Sequence, residues 1–238
     1  MPYEPHIRSA FDNDLDAVKA QVGKMGGLVE KALLNAAEAL EAGDLALAAQ
    51  VRADDRMIDN LEDMIQSECA RIIALRAPTA TDLRIVLTVM RMAGGLERSG
   101  DYAKNLAKRT LVLAEMRPIP GANAAIKRIT RVVVQMLTNA LNAYFTEDAV
   151  LAEEVRQADR EVDQLYNSLF REFLTHMMED PRNITACMHL HFIAKNIERV
   201  GDHASGIAEQ VLYLVNGRFP EDERVKGDDM SLGMAQRT

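Results

Sequence analysis

Acidic residues recur in this chain in pairs four residues apart. Glu97 and Asp101 lie in LERSGDYAKNLAK (residues 96–108), and Glu198 and Asp202 lie in IERVGDHASGIAE (residues 197–209). Asp55 and Asp59 repeat the spacing upstream of the first phrase, and Asp159 and Asp163 upstream of the second. Residues four apart on a helix face the same way, and like charges there cost about 0.2–0.5 kcal/mol per pair. Several such pairs at matching places need a physical cause. One is a metal ion, since oxygen-only ligands favour hard cations. The other is an acidic face neutralised by solvent or by arginine. Arg56, Arg98, Arg160 and Arg199 each follow one of these acids directly.

For either chemistry the acids must be brought together, so the elements that carry them matter. Ile7, Phe11, Leu15, Val18, Val22, Met25, Val29, Leu33, Ala36 and Leu40 step by three or four, the apolar stripe of one long helix. Gly43 ends it and Asp44 caps the next. The second stripe runs from Leu47 to Ile72 and stops before Pro78, and Thr79 or Thr81 can cap a third helix carrying Leu83 to Leu106. RPIPG (residues 117–121) then interrupts the pattern and is the best candidate for a domain boundary. The scheme repeats. A helix is expected over about 122–145, another from Thr146 or Asp148 to about 178, and a last one from about 182 to 216, after Asp180–Pro181. Residues 219–238 are polar and aperiodic and read as a flexible tail.

The two halves are copies. Shifted by 104, residues 44–61 match 148–165 at nine of eighteen positions, among them Asp44/Asp148, Asp55/Asp159 and Asp59/Asp163. The acidic phrases match at a shift of 101. A repeat of this size implies a duplicated three-helix unit. No strand pattern competes, so the expected fold is all-α: six long helices in two three-helix bundles side by side. The expected units are residues 5–117 and 118–218, followed by the tail.

The turns set the levels of the acids. Asp59 lies 19 residues before Pro78 and Glu97 lies 19 after it; Asp55 and Asp101 are each 23 away. In the second copy Asp163 is 18 before Pro181 and Glu198 is 17 after, while Asp159 and Asp202 are 22 and 21 away. Antiparallel hairpins about these turns would place four carboxylates of each copy at one level, roughly 28 Å from the turn at 1.5 Å per residue. Gly100 and Gly201 precede Asp101 and Asp202. Close helix packing or room for a bridging ion explains them. His203 is adjacent to Asp202 but about 100° round the helix, which favours a surface role over a ligand role. His189 and His191 occupy an aromatic-rich stretch and read as packing residues.

Composition excludes several classes. The net charge is −8 with no basic block, so nucleic acid is not an expected partner. No apolar run reaches the length of a membrane span, and the N-terminal stretch lacks a signal-peptide pattern. Cys69 and Cys187 sit in apolar stripes and read as reduced core thiols of a cytoplasmic protein. There is no Walker A loop, GxGxxG, HExxH or CxxC, and no Glu-x-x-His di-iron motif. Nor is there a glycine-rich nest or arginine cluster at a helix start to hold phosphate, so direct sensing of free phosphate is not expected.

RIIALRAPTATDLRIVL, LERSGDYAKNLA, MMEDPRN and FIAKNIERVGDHASGIAE together resemble the PhoU family of phosphate-transport regulators, over about residues 5–217. The resemblance implies two three-helix bundles, with metal clusters in some members on the positions Glu97, Asp101, Asp55, Asp59, Glu198, Asp202, Asp159 and Asp163. The ion would be Fe, Mn, Mg, Ca or Zn. It further implies negative control of phosphate uptake and of phosphate-regulon signalling, by an adaptor and not an enzyme. The implied partners are the ATPase subunit of a Pst-type ABC transporter and a PhoR-like sensor histidine kinase. The protein would be a homodimer, at the membrane only through those partners. A metal-storing protein or a metal-dependent enzyme with a carboxylate site is the competing class.

Overall fold

A computed structural model describes residues 4–220 of the chain. Residues 221–238, most of the expected tail, lie outside the described residues, as does the side chain of Ile7. Helix α1 spans Glu4–Ala42, α2 Leu45–Arg76, α3 Ala80–Leu113, α4 Ala122–Thr146, α5 Ala149–Glu179 and α6 Ile184–Asn216, with a 3-10 turn at Pro181–Asn183 before α6. There is no strand among the described residues. The fold is the expected one: α1, α2 and α3 pack on one another, and α4, α5 and α6 do the same.

Local sequence explains the ends. Asp44 accepts a hydrogen bond from the Leu47 amide at 2.9 Å, and its repeat partner Asp148 accepts from Leu151 at 3.0 Å. Each such cap is worth about 1 kcal/mol. Thr79 takes the N-cap position of α3 but its side chain makes no capping bond. Asp180 caps the 3-10 turn through the Arg182 amide at 3.0 Å, and α6 therefore begins at Ile184 and not at the expected 182. Ala77 closes α2 in the left-handed conformation, with φ 44° and ψ 55°, where glycine is the usual residue.

The expected stripes are the buried faces. Val22, Met25, Leu33, Ile65, Leu96, Ile126, Leu137 and Phe173 are almost fully buried, each contributing about 1.5–3 kcal/mol relative to exposure. They belong to one continuous core running from Leu15 to Leu214 through both copies. Ile119, inside RPIPG, is buried in that core. Cys69 and Cys187 are buried free thiols, and burial pushes the Cys69 thiol up to about 11, so it is inert packing.

Two antiparallel seams join the copies. In the first, α1 meets α4: Thr138 donates to Glu30 at 2.7 Å, Asn123 donates to the Leu40 carbonyl at 3.0 Å, and Lys127 pairs with Glu38 and Glu41. In the second, α3 meets α6. Arg91 donates to Gln210 at 3.3 Å near one end and Arg109 reaches His189 at 2.9 Å near the other. Phe219, expected to open a mobile tail, instead stacks on Tyr213 with centroids 4.3 Å apart and lies under Arg91.

Candidate functional site

The acid pairs lie on α2 and α3 in the first copy and on α5 and α6 in the second. Each hairpin brings its two pairs to one region, as the distances from the turns require. Asp59 on α2 lies close enough to Asp55 and Asp101 for their charges to act on it, and Glu97 on α3 feels Asp101 and Asp59. In the second copy Asp202 and Asp163 act on Glu198. The consequence is one-sided. Burial first, and the neighbouring carboxylates second, raise Asp59 and Glu97 above the usual carboxylate range. Burial also raises Glu198, against the pull of Lys195.

Burial sorts the set. Asp55, Asp159 and Glu198 are buried; Asp59, Glu97, Asp101, Asp163 and Asp202 are half-buried. Asp55 and Asp159 each lie opposite a motif glycine. A β-carbon added at Gly100 would lie 2.9 Å from Ile58 Cδ1 and 3.7 Å from Asp55 Oδ1. One added at Gly201 would lie 3.4 Å from Val162 Cγ1 and 3.7 Å from Asp159 Oδ1. Gly100 thus lets α3 approach the helix that presents Asp55, which is the close-packing explanation, whereas at Gly201 a methyl would make only ordinary contact.

Among the described residues, none of Arg56, Arg98, Arg160 and Arg199 forms an ion pair, although the Arg98 charge acts on Glu97; Arg199 lies over the Tyr102 ring, 6.0 Å from its centroid. Lysines meet three of the acids. Lys104 Nζ lies 2.5 Å from Asp55 Oδ2 and 3.2 Å from Asp101 Oδ1, so it bridges α2 and α3. Lys195 Nζ lies 2.7 Å from Glu198 Oε1. Each lysine stands three residues from an acid of its own helix, but so does each of the four arginines, so the spacing does not single the lysines out in the sequence.

Histidine contributes packing. His203 is half-buried and stacks on Tyr102 with centroids 5.9 Å apart. His191 sits among Tyr166, Phe170 and Phe192, and His189 meets Arg109.

The donor chemistry of both clusters suits a hard cation, because every candidate ligand atom is a carboxylate oxygen. One oxygen, Glu198 Oε2, is buried and has no hydrogen-bond partner. Such an atom is costly unless something meets it. Among the described residues, however, no three Asp, Glu, His or Cys side chains already stand together as a metal cage. In the first cluster the Lys104 ammonium lies between two carboxylates, and in the second Lys195 meets Glu198.

Comparison with known proteins matches the duplication. The PhoU domain matches residues 22–110 and again residues 126–211. The phosphate-specific transport system accessory protein PhoU homolog of Rhizobium meliloti is 43% identical over 226 residues, 95% of either chain. The crystal structure of PhoU from Pseudomonas aeruginosa superposes with a TM-score of 0.84 at 41% identity, covering 87% of this chain and all of that one. The phosphate transport system regulatory protein PhoU from Streptococcus pneumoniae gives 0.82 at 28% identity, covering 89% and 100%.

Proposed function

The chain belongs to the PhoU family, and we propose that it is the accessory regulator of a phosphate-specific transport system, acting as a non-catalytic adaptor. It restrains phosphate uptake and phosphate-regulon signalling by contact with two partners, the ATPase subunit of a Pst-type ABC transporter and a PhoR-like sensor histidine kinase. It does so from the cytoplasm as a homodimer, and no helix among the described residues is long and apolar enough to cross a membrane. The observation that carries this reading is the extent of the match: relatives named as accessory proteins align over 95% of the chain, including both acid-bearing copies.

A hard cation belongs to the same proposal. Asp55, Asp59, Glu97 and Asp101 would hold it in the first copy, and Asp159, Asp163, Glu198 and Asp202 in the second. The ion would neutralise charge and tie each hairpin together. The unpartnered Glu198 Oε2 supports this.

Deletion of the gene tests the regulatory role. In phosphate-replete medium a phosphate-starvation reporter should become active, and the full-length chain supplied in trans should silence it. Tagged full-length protein should co-purify with the transporter ATPase subunit from the same cells. A silent reporter in the deletion strain would overturn the proposal.

A further inference from the structure

The α3/α6 seam has two ends, and the duplication makes them comparable. Under the 101-residue shift Arg91 corresponds to Phe192, Arg109 to Gln210 and Val112 to Tyr213. At the Arg91 end the chain covers its own seam. After α6 it turns at Gly217, with φ 77°, and lays Phe219 on Tyr213 and beneath Arg91. Arg84 lies over Tyr213, 5.4 Å from the ring centroid. At the other end α3 runs on into the linker, whose Ile119 enters the core. Pro118 stands in the register of Phe219 and brings no ring.

Arg109 marks that open end. Its guanidinium lies over Phe192, 4.6 Å from the ring centroid, and donates to His189 Nδ1 at 2.9 Å. It is half-buried, and among the described residues no carboxylate pairs with it; burial alone pulls its pKa below the ordinary value. A cation drawn out of water without an anion is costly. Stacking uses the flat face of the guanidinium and leaves its remaining N–H edges for a carboxylate. Beside it Ile184, Met188 and Phe192 stand four residues apart on α6, 46%, 39% and 45% exposed. A row at that spacing is the ridge with which one helix packs against another. Val112, one turn beyond Arg109 on α3, is exposed as well. Arginine, methionine and aromatic side chains together are what the centres of protein interfaces are rich in.

We propose that this end of the seam docks an amphipathic helix of the transporter partner, one that brings a carboxylate to Arg109 and apolar side chains to Val112 and the Ile184–Met188–Phe192 ridge. The helix is acidic because Arg109 is the charge this surface leaves unanswered. The chain as a whole carries a net charge of −8 and repels such a helix elsewhere, so the one cation also fixes where it lands. The inference rests on the adaptor reading above, and its test separates the two. Full-length wild type is compared with Arg109→Glu, Arg109→Lys, Phe192→Ser and, as a control on α2, Leu75→Ser, which alters a side chain 67% exposed. Each protein is checked for helicity by circular dichroism and for oligomeric state by light scattering. Each is then titrated by interferometry with the purified ATPase subunit of the same transport system, at low and high salt.

Arg109→Glu and Phe192→Ser should each weaken binding by about tenfold or more, Arg109→Lys by less, and Leu75→Ser should bind like wild type. Wild-type affinity should fall as salt rises. Unchanged binding by both Arg109→Glu and Phe192→Ser would overturn this surface and leave the adaptor reading intact. Tighter binding by Arg109→Glu would overturn it too, since the partner would then be basic. Loss of self-association in these two variants, with the ATPase subunit still bound, would make the face an interface between copies of this chain and overturn the proposal. Failure of wild type to bind the ATPase subunit would overturn the adaptor reading itself, and the surface with it.

Discussion

Tyr102 and His203 hold the same place in the two copies and lie against each other, ring planes 17° apart. Each follows the second acid of its motif, Asp101 or Asp202. The stack therefore marks the middle of the α3/α6 seam, where the duplicated phrases meet head to tail. Arg199 lies over the same Tyr102 ring, 6.0 Å from its centroid.

Removing one charge from the first cluster should stabilise the metal-free protein. Asp59→Asn and Glu97→Gln should each raise stability at pH 7, by a few tenths to about 1 kcal/mol. Both carboxyls are raised above their ordinary range, by burial and then by neighbouring acids. The folded state thus binds their protons more tightly than the unfolded state. Ionisation costs stability, with the penalty absent below about pH 4 and complete above the folded-state value. Denaturant titrations at pH 7 and pH 3 in chelator check this: the gain should be present at the first and gone at the second.

Lys104→Met should destabilise the chelated protein by about 1–2 kcal/mol, because buried Asp55 loses its partner. The loss is small because the Lys104 side chain is 42% exposed and solvent screens its ion pairs. Adding Asp55→Asn should return most of the loss, since the uncompensated charge is then gone. A double-mutant cycle measured by urea unfolding gives the coupling, and a value near zero would mean the pair is incidental.

The two motif glycines should respond unequally to alanine. Gly201→Ala meets only ordinary contact with Val162, so the helix-propensity gain of up to about 1 kcal/mol should appear as a higher melting temperature. Gly100→Ala meets Ile58 Cδ1 at 2.9 Å and Cγ2 at 3.2 Å, so packing strain should offset that gain. Thermal unfolding of both variants tests the order; a more stable Gly100→Ala than Gly201→Ala would contradict the packing described.

Metal-free protein should not bind inorganic phosphate. The candidate sites are carboxylate clusters, which repel an anion. Sensing would then be relayed through contacts with the transporter. Calorimetry with chelated full-length protein should be silent, and micromolar affinity without metal would make this chain a direct phosphate sensor.

Much of this was legible in the sequence because its causes are local. Stripes at intervals of three and four, Asp44 and Asp148 as caps, and the breaks at Pro78 and RPIPG each follow from 3.6 residues per turn and from backbone chemistry. Counting residues from each turn was enough to put Asp59 beside Glu97's level, because rise per residue is constant along a helix. What answers those charges was not legible. Arg98 and Lys104 are both near acids in sequence, but only Lys104 lies on the side of α3 that faces Asp55, 49 positions earlier. That choice depends on how α2 and α3 rotate as their apolar stripes dock. The same holds for Tyr102 against His203 and for Phe219 on Tyr213. Those contacts form only when the two copies, or the chain end and α6, meet in space, and no periodicity along the chain encodes the meeting of surfaces that tertiary packing brings together.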